Sequence, residues 1–170
     1  MKGVVEGNQG QTYGLSFWLP FQGTGCYTYD TYSVRSFYLP SFGMGGLAPE
    51  NTAAQQKAYT ECRKVAPMML FGDYHPLTPY SLELDQWMAW QFNRAVPGDG
   101  MVQAFRRPAC QESSKTFRLS GLDPDAQYEV QDFDDSGTRT FTGKKLMDNG
   151  LTVEIKDKPG AGLVVYRKAD

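Results

Sequence analysis

Charge is nearly missing from the front of this chain. Between Gly7 and Pro49 only Asp30 and Arg35 are ionised at neutral pH, while aromatics, amides, hydroxyls and glycines crowd together. Cysteine is scarce as well. Cys26, Cys62 and Cys110 are odd in number and widely spaced, with no CxxC pair, which argues against a zinc site or a disulfide framework. They read as buried or half-buried free thiols. A catalytic cysteine would want a histidine partner, and no local motif joins His75, the only histidine, to any thiol. A net charge of −2 gives no electrostatic reason to expect nucleic acid or an anionic membrane surface as partner. No apolar run approaches the ~20 residues of a membrane helix. Met1-Lys2 is not followed by a signal-peptide core, so no export signal is expected here and a cytoplasmic location is favoured.

What is present is enough for one folded domain and part of another. The chain has 170 residues, of which 41% are hydrophobic and 21% charged. The uncharged front runs to about Leu47. A helix is expected from Asn51 to Leu70, with Thr52 and Gln55 as a capping box and Ala58, Cys62, Val65 and Met69 on one face. Pro67 is expected to kink or end it. From about Trp87 the period becomes two. "KTFRLS" and "LTVEIK" alternate cleanly, and "WMAWQF", "GMVQAFR", "YEVQDF" and "GLVVYRK" are further strand candidates. Turn signals separate them, among them Pro97-Gly98-Asp99-Gly100, Asn149-Gly150 and Lys158-Pro159-Gly160. Their spacing is close to that of an antiparallel sandwich. In the front, "YGLSFWLPF" fits a buried strand or a helix end, and a short helix is expected from about Ser33 to before Pro40.

Several constellations have plain explanations. Asp132 to Gly137 opens like a calcium loop, but Gly143 stands where the bidentate Glu belongs, so a solvated hairpin tip is expected. Asp123 and Asp125 flank Pro124 and read as turn residues rather than as a glycosidase acid pair. Asp73, Tyr74 and His75 read as a polar crossing between helix and sandwich. The aromatic front offers more. Sugars present C–H faces to aromatic rings and hydroxyls to amides, carboxylates and guanidinium groups. Trp18, Phe21, Gln22, Tyr27, Tyr29, Asp30 and Arg35 supply both kinds of contact, and core packing is the competing use.

The tail "GMVQAFRRP", "FRLSGLDPDAQYEV" and "KPGAGLVVYRK" resembles the C-terminal portion of bacterial glycoside hydrolase family 36, the α-galactosidase (melibiase) group. "GDYHPLTPY" followed by "QWMAWQF" resembles the junction into that family's terminal β-sandwich. "QTYGLSFWLP" and "SVRSFYLPSFGMGG" look like the last strands and helices of its catalytic (β/α)8 barrel. The resemblance implies an α+β chain: residues 1–72 as the terminal fragment of the barrel with one main helix, and residues 73–170 as an antiparallel β-sandwich. It implies a parent that hydrolyses terminal α-galactosides through two Asp residues. Neither catalytic motif is found in this chain, so no catalytic residue is assigned and the fragment itself is expected to be inactive. No cofactor or metal is implied. Trp18 and Gln22 are the expected substrate contacts, placed where a strand would meet the cleft face of the barrel. Where better-known members end that strand in a Gly-Asn-His type sequence, this chain has Gln22, Gly23, Thr24 and Gly25. The partner expected is an α-galactoside or other carbohydrate in the intact parent, with association into a homo-oligomer through apolar surface that a barrel remnant exposes. Two rival readings are a carbohydrate-binding sandwich module and a structural domain without catalysis.

Overall fold

The computed structural model describes residues 3–46 and 48–169; Leu47, where the uncharged front was expected to end, lies outside them. A first helix α1 (Val4–Leu15) leads to strand β1 (Gly23–Cys26), helix α2 (Thr31–Ser36), strand β2 (Ser41–Met44) and the long helix α3 (Thr52–Phe71). Strands β3 (Asp73–Pro76), β4 (Trp87–Arg94), β5 (Asp99–Arg106), β6 (Ser114–Phe117), β7 (Gln127–Asp132) and β8 (Thr138–Thr142) follow. Helix α4 (Gly143–Asp148) and strands β9 (Leu151–Glu154) and β10 (Gly160–Lys168) complete the chain.

Six strands form one sheet in the order β3-β4-β5-β10-β7-β8, antiparallel at every pairing, and β6 with β9 forms a second antiparallel sheet of two. The two sheets enclose one core: Trp87, Ala89, Val102, Ala104, Val164 and Tyr166 from the large sheet meet Phe117, Leu151 and Val153 from the small one. This is the expected antiparallel sandwich. The other face of the large sheet carries a second core. Met88, Trp90, Phe92, Met101, Phe105 and Leu163 point there and pack under Tyr32, Val34 and Tyr38 near α2 and under Ala58, Cys62, Val65 and Met69 of α3. With both faces covered, β4 is buried at Trp87 to Asn93 and β5 at Gly100 to Arg106. All three cysteines are buried free thiols.

Buried polar groups in these layers find partners. Gln103 accepts from the Trp90 indole N–H at 2.7 Å and donates to the Arg35 carbonyl at 3.1 Å. Gln91 donates to the Tyr166 hydroxyl and to the Ser120 carbonyl, and its own oxygen takes the Ser120 N–H at 2.9 Å. Such satisfaction is what permits amides in a core.

Several expectations need correction. Of the two readings of "YGLSFWLPF", the helix end holds at its first residues and the strand does not form, and α1 adds a second substantial helix to the one expected. The Thr52–Gln55 capping box does not form: a 3-10 turn over Pro49–Asn51 leads in, Asn51 is the cap residue, and the Gln55 amide turns to Tyr29 instead. Pro67 does not end α3, which continues to Phe71; the missing N–H costs one hydrogen bond, while Val65 and Met69 on either side hold the helix to the sheet. The polar crossing at Asp73 to His75 is the edge strand β3, where Pro76 is tolerated. "KTFRLS" leaves its sheet at Phe117.

Candidate functional site

β1 and β2 pair in parallel, Gly23 opposite Ser41 through Cys26 opposite Met44, with α2 connecting them. Parallel strands share a direction, so the two ends of the pair are chemically distinct. Trp18 and Gln22 stand ahead of Gly23, where the strands begin; Tyr27 to Asp30 and Gly45-Gly46 stand where they finish. Trp18 and Gln22 were expected at the finishing end. They lie at the opposite one because the helical hydrogen bonding runs on, with Ser16 N–H to the Thr12 carbonyl at 3.1 Å and Leu19 N–H to the Leu15 carbonyl at 2.8 Å. "FWL" therefore belongs to the turn that follows α1, not to the body of a strand.

At the starting end, Trp18 is 83% exposed and rims a hollow of about 220 Å³. Phe17, Leu39, Met69 and Phe92 give it apolar walls. The Gln22 amide donates to the Ser16 hydroxyl at 3.1 Å, while its oxygen is buried and has no hydrogen-bond partner among the described residues. Phe21 is exposed beside it. The hollow thus combines an open indole face with an acceptor that has nothing to accept.

At the finishing end, Tyr27 is 75% exposed and its ring lies against Gly45, so close that a methyl group there would overlap it. The Tyr29 hydroxyl donates to the Gly45 carbonyl at 2.8 Å and also meets that of Gly46, and it receives the Gln55 amide at 3.4 Å. The Tyr59 hydroxyl accepts the Met44 N–H at 3.1 Å. Tyr59 escaped the sequence reading and Gln55 entered it only as a capping residue; the Gly45-Gly46 doublet after "SFGM" was the available signal.

Two of the seven candidates are committed to the scaffold. The Asp30 carboxylate caps α2 by accepting the Ser33 N–H at 2.8 Å. Arg35 is 1% exposed and binds the carboxylates of Glu61, on α3, and Asp134, in the turn between β7 and β8. Burial alone would lower its pKa, but the hydrogen bonds to Asp134 and Glu61 raise it above the ordinary guanidinium value. Asp134 is therefore more than part of a solvated hairpin tip. Asp123, as expected, works within a turn: it accepts the Asp125 N–H at 3.1 Å and pairs with Lys168. Among the described residues no three His, Cys, Asp or Glu side chains gather as a metal site.

Comparison with known proteins places this geometry. Residues 87–165 match the glycosyl hydrolase family 36 C-terminal domain. The chain is 31% identical over 134 residues to the probable alpha-galactosidase G of Aspergillus terreus, covering 75% of this chain and 17% of that protein. It is likewise 31% identical over 106 residues to alpha-galactosidase C of Emericella nidulans, covering 62% and 13%. Two solved structures share the fold over nearly all of the chain. The galactosidase domain of an alpha-galactosidase-sucrose kinase superposes with a TM-score of 0.78 at 16% identity, over 99% of this chain and 25% of that one. A family 36 alpha-galactosidase of Geobacillus stearothermophilus, solved with raffinose, gives 0.77 at 16% identity, over 98% and 25%. The chain thus spans less than a fifth of the length of the curated relatives it matches. Residues 87–165 carry the family's C-terminal domain, and the chain as a whole is similar to a C-terminal portion of family 36 alpha-galactosidases.

Proposed function

We propose that this chain works as the C-terminal part of a hydrolase that removes terminal α-galactosyl groups. The sequence likeness to two alpha-galactosidases carries the reading, and the Geobacillus enzyme solved with raffinose points to the class of sugar. In this reading residues 1–72 supply the close of a (β/α)8 barrel and residues 73–170 the sandwich that seals it. The order β1–α2–β2–α3, with its strands parallel, supports the barrel assignment.

A barrel of this kind works at the end where its strands finish. There Tyr27 offers an aromatic face beside the Gly45-Gly46 turn, where the absence of side chains lets its ring lie against the backbone. Trp18 and Gln22 line a second candidate sugar contact at the hollow, where the exposed indole face does the stacking. The chemistry itself needs two carboxylates flanking the glycosidic bond, one to protonate the leaving oxygen and one to attack. Asp30 is held as a helix cap, so the chain is a wall of the site and other parts of the hydrolase provide the acids. One assay tests this. A hybrid in which the chain replaces the matching portion of the Emericella alpha-galactosidase is expected to release nitrophenol from an aryl α-galactoside, and the chain alone is expected to release none. A folded but inactive hybrid, or product from the chain alone above a heat-killed control, would overturn the reading.

A further inference from the structure

α2 is six residues long, too short to hold its own shape in water. Yet it leads from the finishing end of β1 into β2, and its cap Asp30 is the last residue of the Tyr27–Asp30 segment. Buried Tyr32 and Val34 pack it on the sheet, Gln103 and Gln9 donate to Arg35 and Ser36, and the Arg35 guanidinium, every nitrogen of which is engaged, ties it to α3 and the β7–β8 turn. Nε and Nη2 donate to Glu61 at 3.1 Å each, Nη2 also donates to Asp134 Oδ1 at 2.9 Å, and Nη1 donates to Asp134 Oδ2 and to the Ala161 carbonyl. Glu61 also receives the Tyr38 hydroxyl at 2.9 Å and already supplies one opposite charge to Arg35. Asp134 adds direction: it reaches across 99 residues of sequence from the β7–β8 turn, and its side chain is still 50% exposed. Two carboxylates gripping one planar fork fix its orientation as well as its charge.

We infer that Asp134 is a positioning residue. Through Arg35 it orients α2, and through α2 it holds Tyr27 and Tyr29 against the Gly45-Gly46 turn. A side chain of the sandwich therefore sets the geometry of the end of the barrel segment. The positioning is independent of what binds there; its consequence for a galactoside rests on the proposed function.

Hydrogen exchange on the purified chain tests the first part. In Asp134→Asn, amides of Thr31–Ser36 and Tyr29 are expected to exchange about tenfold faster, with β4 and β5 unchanged, because one layer loosens while the sheet core stays closed. Asp134→Glu is expected to restore most of the protection. Unchanged α2 exchange, or equal acceleration throughout the chain, would overturn the inference. Should the Asn variant not fold, molar NaCl on the unaltered chain screens the half-exposed contact; the same α2-selective acceleration is then expected, and its absence counts against the idea. In the active hybrid, Asp134→Asn is expected to raise KM for the aryl α-galactoside more than it lowers kcat, and an unchanged KM would sink the functional consequence. A hybrid inactive before mutation would instead refute the galactosidase reading and leave the exchange result to decide the positioning.

Discussion

Gln103 shows how much one amide carries in this chain. It is 1% exposed and stands between two layers, accepting from Trp90 on the neighbouring strand and donating to the carbonyl of Arg35 on α2. Gln103→Leu preserves the volume and strands both partners in a dry interior. An unsatisfied buried donor or acceptor costs about 1–3 kcal/mol, so a loss of roughly 2–4 kcal/mol is expected in urea unfolding. A loss below about 0.5 kcal/mol would mean that water replaces the amide. Residue-scale reading of the sequence named the right chemical types but not their use. Arg35 looks the same on paper whether it faces a sugar or a carboxylate, and Glu61 and Asp134, distant in sequence, decide the matter; for Asp30 the nearby Ser33 N–H decides it.

The elements divide by how many faces they bury. β6 and β9 bury one face and leave the other exposed, so "KTF" and "LTVE" alternate and were legible. β4 and β5 are covered on both faces, so they lack a clean alternation, and their place in the period-two stretch from Trp87 with turn signals between marked them as strand candidates. α1 was missed because the residues it buries are Asn8, Gln9 and Thr12. Its polar side faces inward, where Gln9 donates to the Ser36 hydroxyl at 2.9 Å and accepts from the buried Arg107 at 3.0 Å. No apolar stripe exists to betray such a helix. That missed boundary is what displaced Trp18 and Gln22 from one end of β1 to the other. α3 was read correctly except at its cap and at Pro67, which is exposed and leaves the Arg63 carbonyl without a helical donor. Pro67→Ala restores the bond. An interior proline costs about 3 kcal/mol in a helix, and its rigidity in the unfolded chain returns up to about 1 kcal/mol. The variant is therefore expected to be more stable by about 2–3 kcal/mol in urea unfolding, and no gain would show that the packing of α3 had already absorbed the defect.

Across the whole molecule, burial favours the neutral form of one thiol and four phenols. Burial pushes the Cys62 thiol up to about 12 and raises the phenols of Tyr32, Tyr38, Tyr74 and Tyr166 above their ordinary value; nearby Glu61 adds to the effect at Tyr38. A group whose pKa is raised by folding contributes stability fully below its unfolded pKa and loses it as pH rises towards the folded one. The unfolded thiol and phenols ionise near pH ~8.5 and ~10. The urea midpoint is thus expected to stay level between about pH 6 and 8 with respect to these groups and to fall steeply above about pH 9. A midpoint that holds level to pH 11 would mean that these groups ionise as readily in the fold as outside it.

The double covering of the large sheet has a consequence for anyone who would divide the chain. In sequence there is a seam at Asp73, with an uncharged aromatic front before it and strand periodicity after it. In space the seam is a lining: the front clothes one side of the very strands the back half contributes. A polypeptide begun at Asp73 would go into water with Met88, Trp90, Phe92, Met101 and Phe105 laid bare along neighbouring strands, and the two halves survive only as one garment.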